Sequence, residues 1–111
     1  MDWIYITEEN QLADIKIKSH TSPQVIFKHS TRCSISGMAK NRLERSIAPE
    51  TLAFYILDLI KFRDLSNKIA QEFQIHHESP QILIIVNGKC IYDESHSGID
   101  MEDIIEQAKA A

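Results

Sequence analysis

The chain holds two cysteines, Cys33 and Cys90, and only the first stands where a thiol is placed to do chemistry. It lies in Ser30-Thr31-Arg32-Cys33-Ser34-Ile35-Ser36, where an apolar, β-branched run gives way to helical spacing. The thiolate is the nucleophile, and an ordinary cysteine, with a pKa of about 8.5, is mostly protonated near neutral pH. At the first turn of a helix the N–H groups have no intrahelical acceptor and carry partial positive charge, and thiols placed there titrate at about 3.5–7.5. Arg32 adds a fixed charge, Lys28 adds another if it points the same way, and Ser36 offers a hydroxyl that can bond the thiolate. The rival reading, an inert cysteine in an apolar core, fits poorly beside Thr31, Arg32 and Ser34.

The other candidate residues are weaker. Cys90 follows Asn87-Gly88 and has three readings: a core residue, a surface thiol or a resolving cysteine. Core packing is the commonest fate of a strand cysteine. His29, just before the motif, is either a proton relay or a structural hydrogen-bonder, and His96 in Asp93-Glu94-Ser95-His96-Ser97-Gly98 is similarly open. Adjacent His76 and His77 would point to opposite sides of a strand, so a zinc site has little support. Glu102, Asp103 and Glu106 read as the wet face of the last helix.

The elements that must hold Cys33 follow from periodicity and punctuation. The 111 residues, 43% of them hydrophobic, suit one domain, residues 1–111. Trp3–Ile6 reads as a first strand, and Glu8 to about Lys18 as a helix with Leu12 and Ile15 on one side. Gln24–His29 reads as a buried strand that feeds through Ser30–Cys33 into a helix from Ser34 to about Arg45. Its stripe is Ile35, Met38, Ala39, Arg42 and Leu43. Thr51–Leu59 fits a strand or a helix, and its β-branched and aromatic residues favour the strand. Arg63–Phe73 is an amphipathic helix, Gln81–Val86 a buried strand, and Asn87-Gly88 joins it as a hairpin to Lys89–Tyr92. Asp100–Ala110 closes the chain as a capped helix.

The order is βαβαβαββα. Three crossovers predict a mostly parallel sheet with helices on both faces, and the hairpin adds an antiparallel edge. This is an α/β, thioredoxin-like, three-layer arrangement with a mixed central sheet. In such proteins a cis proline faces the reactive cysteine, which singles out Ser79-Pro80 ahead of a buried strand. A cis bond there would turn the Ser79 backbone toward a substrate for strand-like pairing. On the dipeptide alone a trans proline is the expectation, because only about 5–6% of X–Pro bonds are cis.

Taken together, Phe27–Ser36, His77-Glu78-Ser79-Pro80-Gln81, Asn87-Gly88-Lys89 and Ser95-His96-Ser97 make the chain resemble the YtxJ-type monothiol bacilliredoxins, over nearly its whole length. Ser34 stands where many relatives carry proline, at a first-turn position where proline is welcome but not required. The resemblance implies removal of bacillithiol from protein mixed disulfides, with Cys33 attacking the bacillithiol sulfur and becoming bacillithiolated. It implies supporting roles for Thr31, Arg32, Ser36, Ser79 and Pro80. Ser36, in the place of a resolving cysteine, cannot close a disulfide, so a second low-molecular-weight thiol must regenerate the enzyme. No bound cofactor or metal is expected. The partners expected are bacillithiolated or otherwise S-thiolated proteins and the small thiol itself.

Composition excludes some alternatives. A formal charge of −4 without a basic block argues against nucleic acid as a partner. The N-terminal apolar run is too short for a signal peptide or a membrane span, which leads to an expectation of no membrane association and a cytoplasmic location, and the resemblance implies a bacterial one. Two other functions fit the same fold: a non-catalytic binding module that presents the Ser79-Pro80 edge, and a redox sensor whose cysteine is modified without turnover.

Overall fold

A computed structural model describes residues 1–111. Its strands are β1 (Trp3–Tyr5), β2 (Gln24–His29), β3 (Ala53–Asp58), β4 (Gln81–Val86) and β5 (Lys89–Ser95). Its α-helices are α1 (Asn10–Lys18), α2 (Ser34–Arg45), α3 (Arg63–Glu72) and α4 (Met101–Lys109), with a 3-10 turn at His96–Gly98. The strands form one sheet in the order β1-β3-β2-β4-β5.

The sheet is mixed rather than mostly parallel. β1, β3 and β2 are parallel, whereas β4 runs antiparallel to both β2 and β5. The connection through α3 is therefore not a parallel crossover. After α3 the chain turns at Gln74, which has φ 53°, and residues 75–79 carry it back without helix or paired strand, so that β4 starts at the end of the sheet where β2 finishes.

β2 and β4 are buried on both faces, which is why their centres, Val25–Phe27 and Ile82–Val86, are continuously apolar instead of alternating. Alternate residues serve opposite cores. Val25, Phe27, Ile82 and Ile84 pack with Ala39 and Leu43 of α2 and with Met101 and Ile104 of α4. Ile26, Leu83 and Ile85 pack with Leu12 and Ile15 of α1 and with Ile69 and Phe73 of the α3 side. Helices thus cover both faces.

Local chemistry explains where the elements differ from the periodicity. α1 begins at Asn10, not Glu8, because Gln11 Oε1 accepts the N–H groups of Thr7 (2.7 Å) and Glu8 (2.9 Å) while its Nε2 donates to the Tyr5 carbonyl. β5 runs to Ser95, past Tyr92, because β4 offers a partner along its whole length, ending with Gln81 opposite Ser95. Asn87-Gly88 is the hairpin turn, with φ of 52° and 77° as a primed two-residue turn requires. α2 is rotated from its expected face: Ser36, Ala39 and Leu43 are buried, and Ile35 and Met38 are exposed.

Candidate active site

β2 ends at His29, and the turn that follows delivers Cys33 to the N-cap of α2. Cys33 has extended backbone (φ −111°, ψ 120°), and its carbonyl accepts the first helical bond from Gly37 N–H at 3.0 Å. Its own N–H donates to the Ser30 carbonyl at 3.2 Å. No protein acceptor takes the N–H groups of Ser34, Ile35 or Ser36. Those unspent donors and the positive end of the helix dipole surround the cap position that Cys33 occupies. Cys33 is a free thiol and half-buried, accessible to a partner but shielded on one side.

The supporting residues sort into two groups. Thr31 and Arg32 are exposed in the turn, and Arg32 makes no ion pair, so its charge acts through solvent. Ser36, by contrast, is wholly buried, and its hydroxyl is engaged away from the sulfur. Ser36 Oγ accepts Ser30 N–H at 2.9 Å and lies 2.6 Å from His29 Nδ1. With an N–H already pointing at the oxygen, the hydroxyl proton is best directed to the His29 nitrogen, which needs a neutral ring. Burial holds the His29 pKa below the ordinary imidazole value, in keeping with that state. The expected bond from Ser36 to the Cys33 thiolate is replaced by this buried link between β2 and the first turn of α2.

The Ser79–Pro80 peptide is cis. The β2–β4 register, with Lys28 opposite Gln81, continues to bring Pro80 level with His29, at the end of the sheet where the Cys33 turn lies. Pro80 is buried, and the Ser79 hydroxyl is buried with no hydrogen-bond partner. A third segment joins them: His96 N–H donates to the Pro80 carbonyl at 3.1 Å, and Arg42 of α2 donates to the His96 carbonyl (3.2 Å) and the Ile99 carbonyl (3.1 Å). His96, left open by the sequence, is placed beside Pro80 through its backbone.

Lys28 does not join the cysteine. It is fully buried, and its Nζ lies 2.6 Å from His77 Nδ1. Nothing in the local spacing announces a pair 49 residues apart. The available signal was a lysine directly after the apolar run Val25–Phe27 of a buried strand, where an ammonium must find a partner.

Cys90 lies at the other end of the sheet. It pairs with Ile85, which pairs with Gln24, so Cys90 is level with the start of β2 while Cys33 follows its end. At about 3.3 Å per residue the intervening strand alone spans about 16 Å, well beyond the Cα separation of about 7 Å that a disulfide tolerates. Cys90 packs beside the α1/α3 core, donates weakly to the Tyr92 carbonyl at 3.3 Å, and burial pushes its thiol up to about 11.

Comparison with known proteins agrees with this geometry. The family described as monothiol bacilliredoxin BrxC matches residues 4–104. A solved structure described as a proposed oxidoreductase with a thioredoxin fold superimposes with a TM-score of 0.81 at 26% identity, covering 94% of this chain and 91% of its own. Thioredoxin from Trypanosoma brucei brucei gives 0.71 at 16% identity, over 98% and 89% of the two chains. The Malassezia sympodialis thioredoxin gives 0.67 at 22%, over 98% and 90%. These thioredoxins establish the fold.

Proposed function

The chain belongs to the monothiol bacilliredoxin family, and from that premise we propose that it removes bacillithiol from protein mixed disulfides with Cys33 as its single nucleophile. The observation that carries this reading is the pairing of one thiol at an unspent helix N-terminus with a second thiol beyond its reach. The fold and family support a thiol oxidoreductase acting on protein thiols.

In the first step the Cys33 thiolate attacks the bacillithiol sulfur of the mixed disulfide. The old S–S bond breaks, the target protein leaves as a thiolate and takes a proton from solvent, and bacillithiol stays on Cys33. A second small thiol, as its thiolate, then attacks the bacillithiol sulfur of that adduct, forming a small-molecule disulfide as the bond to Cys33 breaks and the Cys33 thiolate leaves. No resident cofactor is needed, because each step exchanges one disulfide for another. The reading places the protein in a bacterial cytosol that maintains such a thiol pool. No helix is long and apolar enough to cross a membrane.

The test compares the loss of adduct from a bacillithiolated target protein in the presence of wild type, Cys33→Ser and Cys90→Ala. Cys33→Ser is expected to abolish transfer and Cys90→Ala to leave its rate unchanged. Transfer by Cys33→Ser would overturn the assignment. Stable bacillithiolation of Cys33 that no second thiol reverses would favour a sensor over an enzyme.

A further inference from the structure

Two polar side chains without solvent contact lie together beneath the segment that leads into β4. Lys28 and Gln81 are cross-strand partners, and neither exposes any surface. Directly opposed residues of an antiparallel pair project to the same face. Both side chains reach one loop. Lys28 Nζ meets His77 Nδ1 at 2.6 Å. Gln81 donates from Nε2 to the His76 carbonyl (2.9 Å) and accepts Glu78 N–H at Oε1 (3.3 Å). The next residues of that loop are Ser79, whose buried hydroxyl has no partner, and Pro80, level with the end of β2.

A buried lysine ordinarily meets a carboxylate. Here its partner is an imidazole, and the bond runs from the Lys28 ammonium to the lone pair on Nδ1, which exists only while the ring is neutral with its proton on Nε2. Protonating the ring removes the acceptor and sets a second cation against the buried ammonium. Glu78, which lies between His76 (3.9 Å) and His96 (3.7 Å), opposes this by its charge but is outweighed by burial and by the charges of Lys28 and Arg63, and Asp58 at the end of β3 accepts the N–H groups of Ile60 and Lys61. Asp93 of β5 faces the Gln81 amide at 3.4 Å, and Arg63 from α3 adds further positive charge near His77.

The geometry points to Lys28 and His77 as positioning residues of the exchange reaction: their hydrogen bond latches the His76–Pro80 segment where the Ser79 backbone meets a protein substrate, and protonation of His77 releases it. This rests on the reading of Cys33 as nucleophile and Ser79 as the substrate-facing backbone. Burial, then the charges of Lys28 and Arg63, hold His77 below the usual imidazole value, and burial pushes Lys28 down to about 8. The latched state is therefore the one present at neutral pH.

The test follows two rates from pH 5 to 8, with Cys90→Ala as the parent. One is transfer from a bacillithiolated protein, and the other is alkylation of Cys33 by iodoacetamide, which needs no substrate docking. Cys33 ionisation enters both rates alike and cancels in their ratio. The ratio is expected to fall on the acid side of the ordinary histidine value. His77→Asn, whose carbonyl can accept from Lys28 but does not titrate, is expected to remove that fall. Lys28→Met is expected to raise KM for the protein disulfide several-fold at pH 7.5 while leaving alkylation unchanged. Superimposable pH profiles for the ratio in all three proteins, or equal slowing of both rates by Lys28→Met, would overturn the latch. Transfer that persists in Cys33→Ser would instead overturn the nucleophile, and the latch with it.

Discussion

At the scale of single residues, the site depends on which polar groups are already occupied. Ser36 stands three positions after Cys33, and spacing alone assigns its hydroxyl to the sulfur. The structure assigns it to His29 and the Ser30 N–H, because a fully buried hydroxyl must satisfy its neighbours on β2 first. Ser36→Ala removes that partner from two buried groups, and leaving such groups unsatisfied costs about 1–3 kcal/mol. The expected result is a lower urea midpoint with transfer by Cys33 retained, since Ser36 does not bond the sulfur. Loss of transfer in a fully folded Ser36→Ala protein would contradict this division of roles. Cys33 was legible because its signal is local, a cysteine at the boundary between two patterns. Lys28 and His77 were not, because their relation exists only after the sheet has formed.

At the scale of elements, periodicity, residue type and turn signals together located every strand and α-helix, but not their exact faces and ends. The spacing of α2 predicts a stripe of Ile35, Met38, Ala39, Arg42 and Leu43, of which Ala39 and Leu43 are buried and Ile35 and Met38 are exposed. Packing turns the helix so that Ser36 joins Ala39 and Leu43, since Ser36 fills its buried place with hydrogen bonds. The α3–β4 connection had the residues of a crossover, and only the chain after Gln74 shows that it returns to the same end of the sheet. The hairpin was the clearest element, because Asn87 and Gly88 both need positive φ. At Gly88 a new Cβ meets only His20 Nε2 at 3.8 Å, so Gly88→Ala carries mainly the left-handed backbone cost, about 1–2 kcal/mol. Chemical denaturation should register that loss. Transfer should be unchanged, because the turn lies at the end of the sheet away from Cys33.

At the scale of the whole molecule, three bases, Lys28 and His29 buried and His77 half-buried, tie stability to pH in one direction. His29 and His77 are held below the ordinary imidazole value, chiefly by burial, and Lys28 is pushed down to about 8 by burial. In each case the unfolded chain binds a proton more readily than the folded one, so stability rises with pH across the window between the two values. The Lys28 contribution is complete only above the ordinary lysine value of 10.5 and is lost as pH falls from there to about 8. The two histidines withdraw stability as pH drops below about 6.5. A urea midpoint measured across pH should therefore rise from mildly acid to neutral pH, and Lys28→Met should flatten the further rise between pH 8 and 9, before Cys90, whose thiol burial pushes up to about 11, withdraws stability in the opposite sense.

The same global view separates the two thiols: Cys33 lies past the end of β2 and Cys90 level with its start, a separation that no nearby residue reveals. Mass spectrometry after a single turnover with a bacillithiolated protein tests the central claim most directly. The account predicts a chain heavier by one bacillithiol, attached to Cys33, with Cys90 still a free thiol. An unadducted chain holding an internal Cys33–Cys90 disulfide would contradict it.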